Sequence, residues 1–367
     1  MLHILRQSLL AVALTLVCSA SAMAQNTVRA FHIGNSVTDT LRFTQLRDMV
    51  NANPGRGKTY VFGRHTIPGS PLEFTWNNPT GGFGEPSFYN TALPNNDWNV
   101  LTLQPFDRSV NNDQDYAQRF INLMRTRPGN ANAQVYIYQR WPRRENIPNT
   151  SPTQNVPINY PQVYNQTHVL DPNSPGYYGI NNLETKGFYD ALLARVRQNN
   201  AGTGPVPLMI PVGDVLQEID ARLKAGQIRG ISGSTRPTLT PGILDVNILY
   251  PDGIHFGNLG QFIVGTTFYA TMFKDNPVGL VVPASYKSAS DNAQYRTADF
   301  NFPGVVLDPS LPTITNETVE DLQAAIWHVV SNHPNAGIPE PAAMGAIALV
   351  GAVLMKRRTN DRTKHAS

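Results

Sequence analysis

Residues 28–40, Val28-Arg29-Ala30-Phe31-His32-Ile33-Gly34-Asn35-Ser36-Val37-Thr38-Asp39-Thr40, decide how this chain is read. The first six form a short run rich in apolar and β-branched residues, the pattern of a strand buried in a sheet. Gly34 lets the chain turn sharply. A helical pattern follows from Thr40 to Asn51, with Leu41, Leu46, Met49 and Val50 available for its buried face. A serine at such a strand-to-helix junction points its hydroxyl away from the strand tip, toward backbone N–H groups that stabilise negative charge. Ser36 therefore reads either as a helix cap or as a nucleophile.

Outward from this stretch the same alternation continues. Residues 58–63, 98–103, 134–138 and 207–212 read as further strands. Residues 114–124, 184–197, 215–224, 258–273 and 316–330 read as helices, the last with Thr315 as its N-cap. Strands alternating with helices predict an α/β fold with a mostly parallel sheet covered on both faces. In such sheets ligands bind at the carboxyl ends of the strands. The connections 64–97, 141–182 and 226–250 are rich in Pro, Gly and Asn. They far exceed the usual length of about 4–6 residues and are expected to form walls or lids of a site.

Far downstream stands Asp252-Gly253-Ile254-His255-Phe256-Gly257-Asn258-Leu259-Gly260, directly before a long helical pattern. A carboxylate three residues before an imidazole can reach its Nδ1 and hold its tautomer, leaving Nε2 to take a proton from a serine. The same spacing also suits a surface ion pair or half of a metal site. No second His or carboxylate cluster at ligand spacing completes a metal site, so none is expected.

Taken together, the two segments resemble the SGNH (GDSL-like) hydrolase superfamily. Gly34-Asn35-Ser36 stands where the family has Gly-Asp-Ser, and Asp252 and His255 match its acid and base. The resemblance implies a three-layer α/β/α sandwich of flavodoxin-like kind, with five parallel strands in the order 2-1-3-4-5. It also implies ester hydrolysis through an acyl-enzyme without a cofactor, with Ser36, His255 and Asp252 as the triad. The oxyanion hole departs from the family pattern. Ile67-Pro68-Gly69-Ser70 offers Gly69 as one backbone donor beside the Ser36 N–H. The third strand ends Leu103-Gln104-Pro105, with no Gly-x-Asn-Asp. Gln104 stands at that strand tip either as the missing amide donor or as a residue that only caps the strand.

Trp76, Trp98 and Trp141 lie on or beside the long connections, and Trp76 and Trp141 are read as sugar-binding platforms, with buried loop anchors as the alternative. Arg140, Arg143 and Arg144 flank Trp141 and read either as contacts to an acidic polysaccharide or as a solvated basic surface. The expected substrate is a short acyl group, most simply acetyl, on a carbohydrate. A non-catalytic polysaccharide-binding surface protein of the same fold is the competing expectation.

The two ends of the chain read as addresses. Residues 1–24 show Arg6, an apolar run from Leu9 to Val17 and Ala22-Met23-Ala24, the order of an export signal. Cys18, the single cysteine, lies inside it and is also a formal lipoprotein acceptor. Cleavage after Ala24 leaves a chain without cysteine, which excludes disulfides and thiolate catalysis. Residues 338–367 contain Pro339-Glu340-Pro341, an apolar stretch from Ala342 to Met355 and Lys356-Arg357-Arg358. This order resembles the PEP-CTERM sorting signal, with an ordinary C-terminal anchor as the alternative. The resemblance implies transient membrane anchoring, processing by an exosortase-type enzyme, and an exported protein of the Gram-negative envelope or exterior. The domain is then residues 25–337.

With 41% hydrophobic and 15% charged residues, the composition excludes a coiled coil, a polytopic membrane protein and a largely disordered chain. The formal charge of +3 resides at the ends, +1 before residue 25 and +3 after residue 337, which leaves about −1 between them. A nucleic-acid partner, which needs a basic patch on the domain, is not expected.

Overall fold

A computed structural model of the chain describes residues 26–143, 157–165, 185–231, 238–250, 254–287 and 315–338. Among these residues six strands form one sheet: β1 (Thr27–Gly34), β2 (Thr59–Thr66), β3 (Phe83–Glu85), β4 (Val100–Leu103), β5 (Gln134–Gln139) and β6 (Leu208–Pro211), in the order β3-β2-β1-β4-β5-β6. Five of them are parallel and follow the expected 2-1-3-4-5 order. The sixth, β3, corrects the expected strand count. It adds antiparallel to the β2 edge, pairing Arg64 with Glu85 and Thr66 with Phe83.

Alternation along the strands builds two cores. Val28 and Ala30 of β1, Tyr136 and Tyr138 of β5 and Ile210 of β6 face one side. There the helices Phe43–Asn51, Val212–Lys224, Asn258–Phe273 and Asn316–Asn332 pack their apolar residues. Phe31 and Ile33 of β1, Leu101 and Leu103 of β4, and Val135 and Ile137 of β5 face the other side. They meet the helices Leu72–Asn77, Tyr89–Asn95, Val110–Arg125 and Lys186–Asn199. Burial of both faces explains why the strands read as nearly continuous apolar runs. A polar inlay sits in the first core. His32 is fully buried, with Nδ1 2.7 Å from the Thr102 hydroxyl and Nε2 2.8 Å from that of Tyr60. Burial lowers its pKa to about 3, so the ring is neutral.

Local capping sets the helix starts. Ser109 accepts from Asn112 N and Thr185 from Phe188 N. Thr315, the expected N-cap, forms a capping box with Thr318. The segment 64–97 is not a loop wall: it holds β3 and two short helices whose Leu72, Tyr89, Ala92 and Leu93 are core residues. Both predicted sorting segments, apart from Ile338, lie outside the described residues. Among the described residues no helix is long and apolar enough to cross a membrane.

Candidate active site

The carboxyl tips of β1, β2 and β4 are tied together around Ser36. Gly34 ends β1 where no side chain fits: a Cβ there would stand 2.1 Å from Thr38 Oγ1 and 2.9 Å from Gln104 Cβ. Close approach, rather than an unusual backbone angle, demands glycine. Asn35 then leaves the strand in extended conformation and caps the one-turn helix Ser36–Asp39, its Oδ1 accepting from Val37 N at 2.9 Å. Its Nδ2 donates to the Ser70 carbonyl at 3.0 Å. One buried amide thus holds the Ser36 turn against the Gly69-Ser70 turn after β2, and a carboxylate could not make the second bond. Ser36 begins the helical turn and is 6% exposed.

Gly69 is exposed in the left-handed region at φ 69, with open space around it. This is the backbone that a glycine adopts freely in a tight turn. Gln104, fully buried, follows β4. Its Oε1 accepts from Asn35 N at 3.4 Å and from Thr38 Oγ1 at 3.3 Å, and its Nε2 donates to the Pro105 carbonyl. The structure therefore brings Ser36, Gly69 and Gln104 into one cluster at the strand tips.

His255 enters this end of the sheet from the segment before the Asn258–Phe273 helix and is 6% exposed. The residues on either side of it are fixed by Trp141, whose Nε1 donates to the Ile254 carbonyl at 2.8 Å and whose ring stacks on Phe256 at 3.9 Å. Trp141 packs edgewise on Tyr138, and the Tyr138 hydroxyl donates to the Val37 carbonyl at 3.5 Å. One aromatic pair thus connects the neighbours of His255 to the neighbour of Ser36. Asp252 lies outside the described residues.

Three expectations meet the structure here. Trp141 is fully buried, with one ring face closed by Phe256, so it anchors the site from within and offers no sugar platform. Trp76 stays partly exposed, but it is packed against Tyr89, centroids 5.3 Å apart, and edgewise against Phe120. The exposed aromatic nearby is Phe74, 47% exposed on the Leu72–Asn77 helix that follows the Gly69 turn. Phe74 carries no sequence signal, because the segment 64–97 reads as a connection and its helix is visible only in the structure. Arg140 is not part of a solvated surface either: it is fully buried and paired with Asp107.

A second histidine–carboxylate pair stands apart from Ser36. His333 Nε2 lies 3.0 Å from Asp214 Oδ2, while His333 Nδ1 accepts from Asn335 N at 3.2 Å. Both ring nitrogens are engaged, so this imidazole fastens the chain after the Asn316–Asn332 helix and is not poised as a base. Burial pushes the Asp214 carboxyl up, but the bond from His333 and the charge of Lys186 outweigh it, and the group lies below its usual range. Among the described residues no three metal-capable side chains converge.

No family model matches the chain, and no curated protein matches it. Solved structures do match, at low identity. A DUF4886 family protein from Bacteroides uniformis is 15% identical over 83% of this chain and 95% of that one, with a TM-score of 0.47. A candidate SGNH hydrolase from Slackia heliotrinireducens is 16% identical over 67% of this chain and all of that one, at 0.34. A gut microbial diltiazem-metabolizing enzyme is 12% identical over 68% of this chain and 48% of that one, also at 0.34.

Proposed function

We propose that the chain is an exported serine esterase that removes short acyl groups, acetyl foremost, from carbohydrate. The observation that carries the reading is the Asn35-centred junction, which gathers Ser36 and two candidate oxyanion elements, the Gly69 turn and Gln104, at the carboxyl edge of a parallel sheet. In this reading Ser36 Oγ attacks the ester carbonyl as His255 Nε2 takes its proton, and the Ser36 and Gly69 N–H groups with the Gln104 amide hold the oxyanion. Collapse of the tetrahedral species breaks the C–O bond, and His255 returns the proton to the leaving sugar hydroxyl. Water then repeats the sequence on the acyl-enzyme and releases the acid. Asp252 orients His255. Export, retention by the C-terminal segment and exosortase-type processing belong to the same proposal and rest on residues 1–24 and 338–367 of the sequence.

One observation favours the second reading, a non-catalytic polysaccharide-binding protein: one amide hydrogen of Gln104 is spent on the Pro105 carbonyl, and no Gly-x-Asn-Asp replaces it. The test is labelling by a fluorophosphonate probe together with turnover of p-nitrophenyl acetate, beside Ser36→Ala and His255→Ala. Labelling and turnover that vanish in Ser36→Ala support the esterase. A folded wild type that does neither overturns it and favours the binding protein.

A further inference from the structure

The turn after β4 carries Gln104 and is gripped from both flanks. Asp107 lies in the left-handed region at φ 50, a conformation that a non-glycine residue keeps only when its surroundings hold it. Those surroundings are three guanidinium groups, of which Arg108 Nη1 donates to the Asp107 carbonyl at 3.1 Å and the other two grip its carboxylate. Arg140, directly after β5, donates from Nη2 to Asp107 Oδ1 at 3.0 Å and lies 4.5 Å from the Phe106 ring centroid. Arg143 donates to Asp107 Oδ2 and lies 5.1 Å from the same ring. On the other flank Arg108 Nε donates to Glu73 Oε2 at 2.8 Å, and Glu73 sits on the helix after the Gly69 turn.

A buried ion pair adds little stability over an apolar replacement, so a fully buried arginine at this strand tip is better explained by the geometry it fixes. The geometry in question is that of the Gln104 amide. Its oxygen is held by Asn35 N and one of its hydrogens by the Pro105 carbonyl. The direction of the second hydrogen therefore depends on where the Pro105 carbonyl stands, two residues from the carboxylate that Arg140 grips. We propose that Arg140 is a positioning residue, which through Asp107 and Phe106 holds the Pro105 carbonyl and so aims the free Gln104 N–H at the oxyanion. This inference rests on the serine-esterase reading.

The test is a double-mutant cycle on the full chain, with Arg140→Met, Gln104→Ala and both together, reading kcat and KM for p-nitrophenyl acetate, the fluorophosphonate labelling rate and the melting temperature. Arg140→Met is expected to lower kcat by about 10²-fold with KM changed less than about threefold, as for a misplaced catalytic group. Adding Gln104→Ala to it is expected to cost less than about a further threefold, because the donor is already misaimed. A merely structural role would leave the two losses additive, whereas a lower melting temperature accompanies either role, because the Asp107 carboxylate loses one of its partners. If Arg140→Met does not fold, Asp107→Asn, which keeps a residue tolerant of the left-handed region, takes its place in the cycle. Additive losses, or an unchanged kcat in a folded variant, overturn the proposal while the esterase stands. A wild type that neither labels nor turns over overturns the esterase reading and this inference with it.

Discussion

Replacing Asn35 by the residue that the SGNH pattern has at this position is expected to damage the protein. In Asn35→Asp the capping oxygen survives, since aspartate caps a helix as well as asparagine does. The donor to Ser70 does not. The Ser70 carbonyl, now 3.0 Å from an amide nitrogen, would face a carboxylate oxygen in a site where Asn35 is fully buried and Ser70 is 5% exposed. Leaving a buried carbonyl without its donor costs about 1–3 kcal/mol, and the buried, poorly solvated charge raises the total to roughly 2–4 kcal/mol. The sign with pH follows. A protonated acid can still donate to the Ser70 carbonyl, so the folded state raises the pKa of the new carboxyl above its unfolded value. The compensating bond is then present at acid pH and lost as pH rises through the folded-state value. Urea unfolding followed by tryptophan fluorescence should show a small difference from wild type near pH 4, the unfolded reference. The difference should be full at pH 8, where turnover should fall with it as the Gly69 turn comes loose. Equal midpoints at pH 8 would refute the argument that Asn35 staples the two turns.

Other consequences can be checked separately. Gly34→Ala places a methyl group 2.1 Å from Thr38 Oγ1 and is expected to lose labelling by the fluorophosphonate even where a folded fraction survives. Trp141→Ala is expected to cost about 3–5 kcal/mol in urea unfolding, as for a core aromatic; unchanged stability would return Trp141 to the surface. His32 is held neutral by burial, with its pKa lowered to about 3 from an ordinary 6.5. Its contribution is complete above pH 6.5 and is lost as pH falls toward 3, by up to about 5 kcal/mol. Subtracting the stability–pH curve of His32→Gln isolates it, and parallel curves would show that His32 does not titrate differently on folding.

Much of the architecture was legible because it is local. The five parallel strands were predicted to within about three residues at each end, and the Asn258–Phe273 and Asn316–Asn332 helices from their apolar spacing and, for the second, its Thr315 cap. β3 is not legible in the sequence, because three residues, Phe83-Gly84-Glu85, carry no period of their own and become a strand only beside β2. The segment 64–97 reads as loop for the same reason: its Pro, Gly and Asn content signals turns, and Tyr89–Asn95 is helical despite Pro94 because the sheet buries Ala92 and Leu93.

The candidate site divides along the same line. By itself the sequence determined that a serine follows the first strand through a glycine turn, that a histidine stands before a long helix, and that no Gly-x-Asn-Asp ends the third parallel strand. These are statements about neighbours in the chain, and short-range sterics and hydrogen bonding decide them. Tertiary structure alone decided that Asn35 staples Ser70, that Gln104 shares its amide between Asn35 and Pro105, that Trp141 is buried under the His255 segment, and that Arg140 grips Asp107. Apart from the Pro105 bond, each of these joins residues more than 30 positions apart. Which partner a buried polar or aromatic group finds depends on which strand tips the sheet order sets side by side, and the spacing of residues along the chain does not encode that order.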